Sequence, residues 1–164
     1  MEALQSAFGF LPNIAATMST SPVLINTLVP VFGQVHGGSF SEPQIQTVLL
    51  TNAVTNASAY PAALHSLLAL QNGVSEADVN AIRNGDLPKD AKLAALSRLA
   101  KTLIEKRGRL NEQDKETFLQ AGFGPDHLLE VIAIVAASTM TNYNANVTQP
   151  PLEQDIQAHA WPSH

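Results

Sequence analysis

The chain has 164 residues, a length that suits one domain, and only 14% of them are charged where about 25% is usual. It contains no cysteine, which excludes disulfides, thiolate metal sites and cysteine catalysis. Net charge is −5 and no basic cluster is interleaved with aromatics, which argues against a nucleic-acid partner. The charge is also uneven. No Lys or Arg occurs from Met1 to Ile82, where only Glu2, Glu42, Glu76 and Asp78 are acidic, and all 9 basic residues fall between Arg83 and Lys115. A half-chain so poor in charge needs cover, because large exposed apolar patches are rare on monomers. The expectation is self-association as a homo-oligomer of two, three or six copies. No basic segment followed by an apolar core opens the chain, and no apolar run approaches the roughly 18 residues of a membrane span. A cytoplasmic protein without membrane contact is therefore expected.

In chain order the pattern reads as helix after helix. A short helix is expected from about Pro12 to Met18, and a second from Pro22 to about Val35, ended or kinked by Pro30. Gly37-Gly38-Ser39 reads as a flexible link. Ser41-x-x-Gln44 resembles a capping box and opens a third helix, Glu42 to about Asn56. A fourth runs from Tyr60 to about Asn72. Ser75-x-x-Asp78 caps a short helix to Asn84. Pro88 to Lys106 carries Leu93, Leu96, Leu99, Ala100 and Leu103 on one stripe, as an amphipathic helix requires. Asn111-x-x-Asp114 caps another short helix to Ala121. Asp126 to about Asn146 is the longest, and Leu128, Val131, Ile132, Ile134 and Val135 surround its start, so it is predicted to be the central buried helix. Pro150-Pro151 stops it, and the tail is helical as far as Ala160. Gly73, Gly85, Gly108 and Gly122 each follow a helical pattern, as glycines just past a helix end do. The fold class is all-α in one domain, 1–164, with a core over about 10–147 and a C-terminal tail over 148–164.

The stretch "TNASAYPAALH", Thr55 to His65, holds the candidate site. Helical spacing sets Ser58, Pro61 and His65 on one face. A short loop at Asn56-Ala57 folds this helix back on the preceding one, so Gln46 faces its start. Pro61 falls in the first turn, where its missing N–H costs little, and Ser58 suits an N-cap.

At these residues the chain resembles the AhpD-like, carboxymuconolactone decarboxylase superfamily, with its alkylhydroperoxidase-like helical bundle. The resemblance runs through "FGFLPNI", "SPVLINTL", "SEPQIQTVLLTNAVTNASAYPAALHSLLALQNGVSEADVNAIRNG", "AALSRLAKTL" and "FLQAGFGPDHLLEVIAIVAASTMTNYNAN", nearly the whole chain. Redox members of that family carry, in this stretch, a Glu, then Cys-x-x-Cys, then His four residues on. A dithiol at a helix N-terminus has a lowered thiolate pKa, and the Glu and His move its protons. By this resemblance Gln46 stands at the Glu position, Ser58 and Pro61 at the two cysteine positions, and His65 at the retained histidine. Glutamine cannot accept a proton at neutral pH, and neither serine nor proline forms a disulfide. Thiol peroxidase chemistry is excluded, and no cofactor or metal is implied. Three readings follow: a non-redox member that binds a small-molecule ligand or is structural; a cofactor-free decarboxylase acting on a carboxylated lactone with His65 in proton transfer; and an assembly partner of redox relatives. The decarboxylase needs cations for the substrate carboxylates, which only Arg83, Arg98, Lys101 or a neighbouring subunit would supply.

Other features carry weaker signals. His36, His65, His127, His159 and His164 are far apart in sequence and form no close-spaced metal motif. Asp126 reads as a cap, with His127 solvated beside it and Glu130 in reach. Lys106-Arg107-Gly108-Arg109 sits where a helix ends and suits its dipole. Asn142-Tyr143-Asn144-x-Asn146 reads either as helix fraying or as a polar lining of a pocket or subunit seam. Trp161, the only tryptophan, reads as an anchor into a neighbouring groove.

Overall fold

The structure is a computed structural model and describes residues 12–162; Phe8 to Leu11 and His164 lie outside the described residues. Among these residues it is all helical: α1 Asn13–Ser19, α2 Pro22–His36, α3 Glu42–Thr55, α4 Ala59–Gln71, α5 Glu76–Arg83, α6 Ala91–Glu105, α7 Glu112–Gln120, α8 Pro125–Thr148, and a 3-10 helix Gln154–His159. The expected boundaries hold to within a few residues. The caps follow the sequence signals: Ser75 Oγ accepts from Asp78 N at 3.1 Å, Asn111 Oδ1 from Asp114 N at 2.8 Å, and Gln44 Oε1 from Ser41 N at 3.0 Å. Helix α6 starts later than Pro88 because Asp90 is its cap, accepting from Leu93 N at 2.9 Å. Gly73 and Gly122 have φ of 90° and 92°, the left-handed turn that a Cβ would strain.

The middle of the molecule is α3, not α8. Every residue from Ile45 to Ala53 is buried, and α3 packs against α4, α5, α6 and α8. Four of those buried residues are polar, which hides the helix from a hydrophobicity reading. Two of them are satisfied locally: Thr47 Oγ1 donates to Pro43 O and Thr51 Oγ1 to Thr47 O, both at 2.8 Å. Helix α8 buries only one face, through Val131, Ile134, Ala137, Ser138, Thr141, Asn142 and Ala145. Leu129 is 65% and Ile132 43% exposed, so apolar residues spread around its start do not make it a buried helix.

Further expectations are corrected. Pro30 does not end α2, which continues to His36. Its missing N–H frees only the Asn26 carbonyl, and both residues face solvent, where water takes that group. The Gly37-Gly38-Ser39 link is pinned, since Ser39 N donates to Glu130 Oε1 at 2.7 Å, and a Cβ at Gly38 would collide with the same carboxylate. Glu130 is thus committed to the link rather than to His127. Gly124, not Asp126, is the N-cap of α8; its N–H donates to His127 Nδ1 at 2.9 Å, and the His127 ring packs on Phe40 and Phe123 at centroid distances of 5.4 and 5.7 Å.

The tail folds back over α4 and α5. Tyr60 Oη donates to both Glu153 carboxylate oxygens at 2.8 Å, and Ile156 is fully buried. Arg83 donates to Ser66 Oγ at 2.8 Å and to the carbonyls of His159 and Ala160 at 2.9 Å.

Candidate functional site

Gln46 lies in the buried run of α3 and His65 in the second turn of α4, and the tight turn at Asn56-Ala57 brings them together. Ala57 takes a φ of 49° there, and Ser58 N donates back to Ala53 O at 2.8 Å. His65 Nδ1 meets Gln46 Oε1 at 3.0 Å. An amide oxygen only accepts, so Nδ1 carries the proton and Nε2 is left with a bare lone pair. Burial pushes the His65 pKa down to about 3, and a proton on His36 would oppose a second one on His65. The ring is therefore a neutral acceptor near pH 7.

Ser58 and Pro61 are placed differently. Ser58 is the N-cap of α4 by position, but its hydroxyl does not cap. It donates to Asn142 O of α8 at 3.1 Å and is fully buried. Pro61 sits in the first turn of α4 and lines an apolar chamber with His65. Gln46 and His65 thus form one hydrogen-bonded pair, Pro61 lines the same space as His65, and the Ser58 hydroxyl is engaged with α8 instead.

Two spaces meet at His65. The first, about 70 Å³, lies among α1, α2, α4 and α8 and is lined by apolar atoms, with Met18, Leu28, Phe32, Pro61 and Leu64 among its walls. The second is a cleft of about 370 Å³ among α2, α3 and α4, edged by Phe32, His36, Glu42, Gln46, His65 and Asn72. Phe32 and His65 border both. Nε2 of His65 has no hydrogen-bond partner among the described residues, and the ring borders both the apolar space and the cleft.

No family model matches the sequence. No curated protein matches it either. Solved structures do match. An alkylhydroperoxidase AhpD core from Ralstonia eutropha JMP134, described as an uncharacterized peroxidase-related protein, is similar with a TM-score of 0.83 at 17% identity, over 94% of this chain and 84% of that one. A peroxidase-related protein from Silicibacter sp. TM1040 gives 0.79 at 17%, over 94% and 83%. The debrominase Bmp8, as an alanine variant of a cysteine in complex with 2,3,4-tribromopyrrole, gives 0.80 at 16%, over 96% and 86%.

The fold is AhpD-like. At such identities the likeness concerns the path of the chain, and the side chains of this AhpD-like chain carry the chemistry on their own. The cations that a carboxylated substrate would need are elsewhere. Arg83 is spent on Ser66 and the tail, Lys101 Nζ lies 3.4 Å from Gly85 O, and Arg98 edges a separate cavity near α7. No Lys or Arg lines either space at His65.

The sequence reading missed His36 and Glu42. His36 Nδ1 and Glu42 Oε1 are 2.7 Å apart at the edge of the cleft. The signal was present: Glu42 precedes Gln46 by four residues, hence one turn away on the same face of α3. His36 had none, because only the fold brings the end of α2 to α4. The asparagines of α8 are not frayed ends, since the helix runs to Thr148; Asn142 is buried, Asn144 Nδ2 donates to Thr17 Oγ1 at 2.8 Å, and Asn146 Nδ2 to Asn56 O at 3.2 Å. Trp161 anchors within its own chain, with Nε1 donating to Arg83 O at 3.0 Å.

Proposed function

We propose that this protein is a non-redox member of the AhpD-like, carboxymuconolactone decarboxylase superfamily that binds a small uncharged molecule at His65. One observation carries the reading. In a chain without cysteine, His65 is held neutral by burial and by Gln46, with Nε2 unpartnered on a ring that borders both a cleft and an apolar space. Such an imidazole accepts a hydrogen bond from a ligand N–H or O–H, and the apolar walls take the rest of the molecule. The apolar space alone, about 70 Å³, is smaller than the roughly 150 Å³ cavity that holds benzene, so a ring spans it and the cleft together. The ring bound by the debrominase of the same fold is of this kind, a flat apolar body with one N–H.

The decarboxylase alternative is weaker, because a carboxylated lactone would meet no Lys or Arg from its own chain here and would need a neighbouring subunit to supply them. The loss of redox chemistry is tested directly. Alkyl hydroperoxide with a dithiol reductant gives no turnover above buffer, and saturable consumption by metal-free protein would defeat the reading.

The protein is also proposed to assemble with its own copies, in the cytoplasm. Support comes from α8, where Leu129, Ile132, Tyr143 and Val147 are exposed and no charged residue occurs after Glu130. A copy packed there brings no like charges together.

A further inference from the structure

Two imidazoles edge the same cleft, and both are held in the same way. His36, the last residue of α2, rests its Nδ1 on Glu42 Oε1 at 2.7 Å, and His65 rests its Nδ1 on Gln46 Oε1 at 3.0 Å. Glu42 and Gln46 stand one turn apart on one face of α3. When Nδ1 of a neutral imidazole donates, Nε2 is the acceptor. A single helix therefore orients two rings so that each keeps its Nε2 lone pair for something other than the protein. Neither Nε2 has a partner among the described side chains. Both rings line the same cleft of about 370 Å³. In the same cleft wall the Gln46 amide group, whose oxygen is taken by His65, still has its N–H donors, and Phe32 borders both the cleft and the apolar space.

We infer that the cleft is a two-acceptor site for a neutral molecule with two adjacent hydroxyl donors on a compact apolar frame, one O–H to His65 Nε2 and the other to His36 Nε2. The ligand oxygens in turn accept from the Gln46 amide, and the frame lies against Phe32. This rests on the small-molecule reading of His65 and names the ligand class. The carboxylate at Glu42 fixes His36 by the arrangement in which a carboxylate orients an imidazole through Nδ1. It does for the outer ring what Gln46 does for the inner one. A charged ligand is disfavoured on both counts: an anion meets Glu42, and a cation finds only one carboxylate, already engaged.

The test uses one frame with two, one or no donors: catechol, guaiacol and veratrole, titrated under argon into full-length protein. The readouts are affinity and the side-chain 15N resonances of the five histidines. Catechol is expected to bind about tenfold tighter than guaiacol, and guaiacol about tenfold tighter than veratrole, as one hydrogen bond each provides. Catechol should move the Nε2 signals of both His36 and His65. In His36→Phe, catechol should bind no better than guaiacol, while guaiacol binding is kept. Equal affinity of all three, with His65 perturbed, overturns the two-acceptor site and leaves the small-molecule reading standing. No perturbation of His65 by any of them defeats that reading as well. Movement of His65 without His36 places the second hydroxyl elsewhere and also overturns the inference.

Discussion

His65 is a base that folding has made reluctant to charge. Its pKa falls from 6.5 in the unfolded chain to about 3 in the folded one. Between those values the unfolded state binds the extra proton, so stability is complete above pH 6.5 and is lost progressively as pH falls toward 3. By pH 5 the loss from this one group is about 2 kcal/mol. Urea unfolding measured from pH 7.5 to 4.5 should show it, and His65→Leu should flatten the profile. An unchanged slope in that variant would mean that the ring is open to solvent. At this scale the sequence was partly legible. Gln46 and His65 could be paired from a helix, a two-residue turn and a second helix, all of which leave local marks. The destination of the Ser58 hydroxyl could not, because Asn142 lies far along the chain and only packing brings α8 to it. Nor could His36 be found, since its partner relation to His65 is made by the meeting of three helices.

Among the elements, α3 and α8 meet along a polar seam. Asn52 Nδ2 lies 3.4 Å from Val135 O, Ser58 donates to Asn142 O, and Asn146 reaches Asn56 O. Within this seam Asn142 is fully buried, and neither its side-chain nitrogen nor its oxygen has a partner among the described residues. Burying an unpaired amide is costly, whereas an isosteric apolar group carries no such cost. Asn142→Leu should raise stability by about 1–2 kcal/mol, read as a later urea midpoint with unchanged m. A fall instead would show that Asn142 is satisfied in solution and that the seam is built for polar contact. The seam explains why the ranking of helices by hydrophobicity failed. Helix α3 reads as half polar yet is wholly inside, because threonines return their hydroxyls to their own backbone and asparagines face a partner helix. Helix α8 reads as apolar on all sides yet keeps one side in the open. Caps and terminal glycines, by contrast, act through neighbours in sequence, and they located most helix ends.

For the whole molecule, the exposed side of α8 and the charge-poor first half bear on assembly. Leu129, Ile132, Tyr143 and Val147 recur at spacings that keep them on one stripe, with Ala133 and Ala136 leaving room for a close approach. Light scattering at micromolar concentration should give a multiple of the 17.5 kDa chain mass. Ile132→Lys, at a position 43% exposed and so tolerant within one subunit, should shift that mass toward the monomer without altering the helical circular dichroism. A monomer in the unmodified protein would sink the assembly proposal. The all-α class and the helix order were legible because each helix is amphipathic or capped. Assembly is less legible, since a stripe on one chain says where contact is favourable but not how many copies close the ring. The tail has a different consequence. Trp161 is the sole tryptophan, and it is seated on Arg83 O while Arg83 itself clasps the two residues before it. The protein thus carries a built-in optical label at one latch: its fluorescence reports when the tail lets go of α5, an event that circular dichroism of the helices would scarcely register.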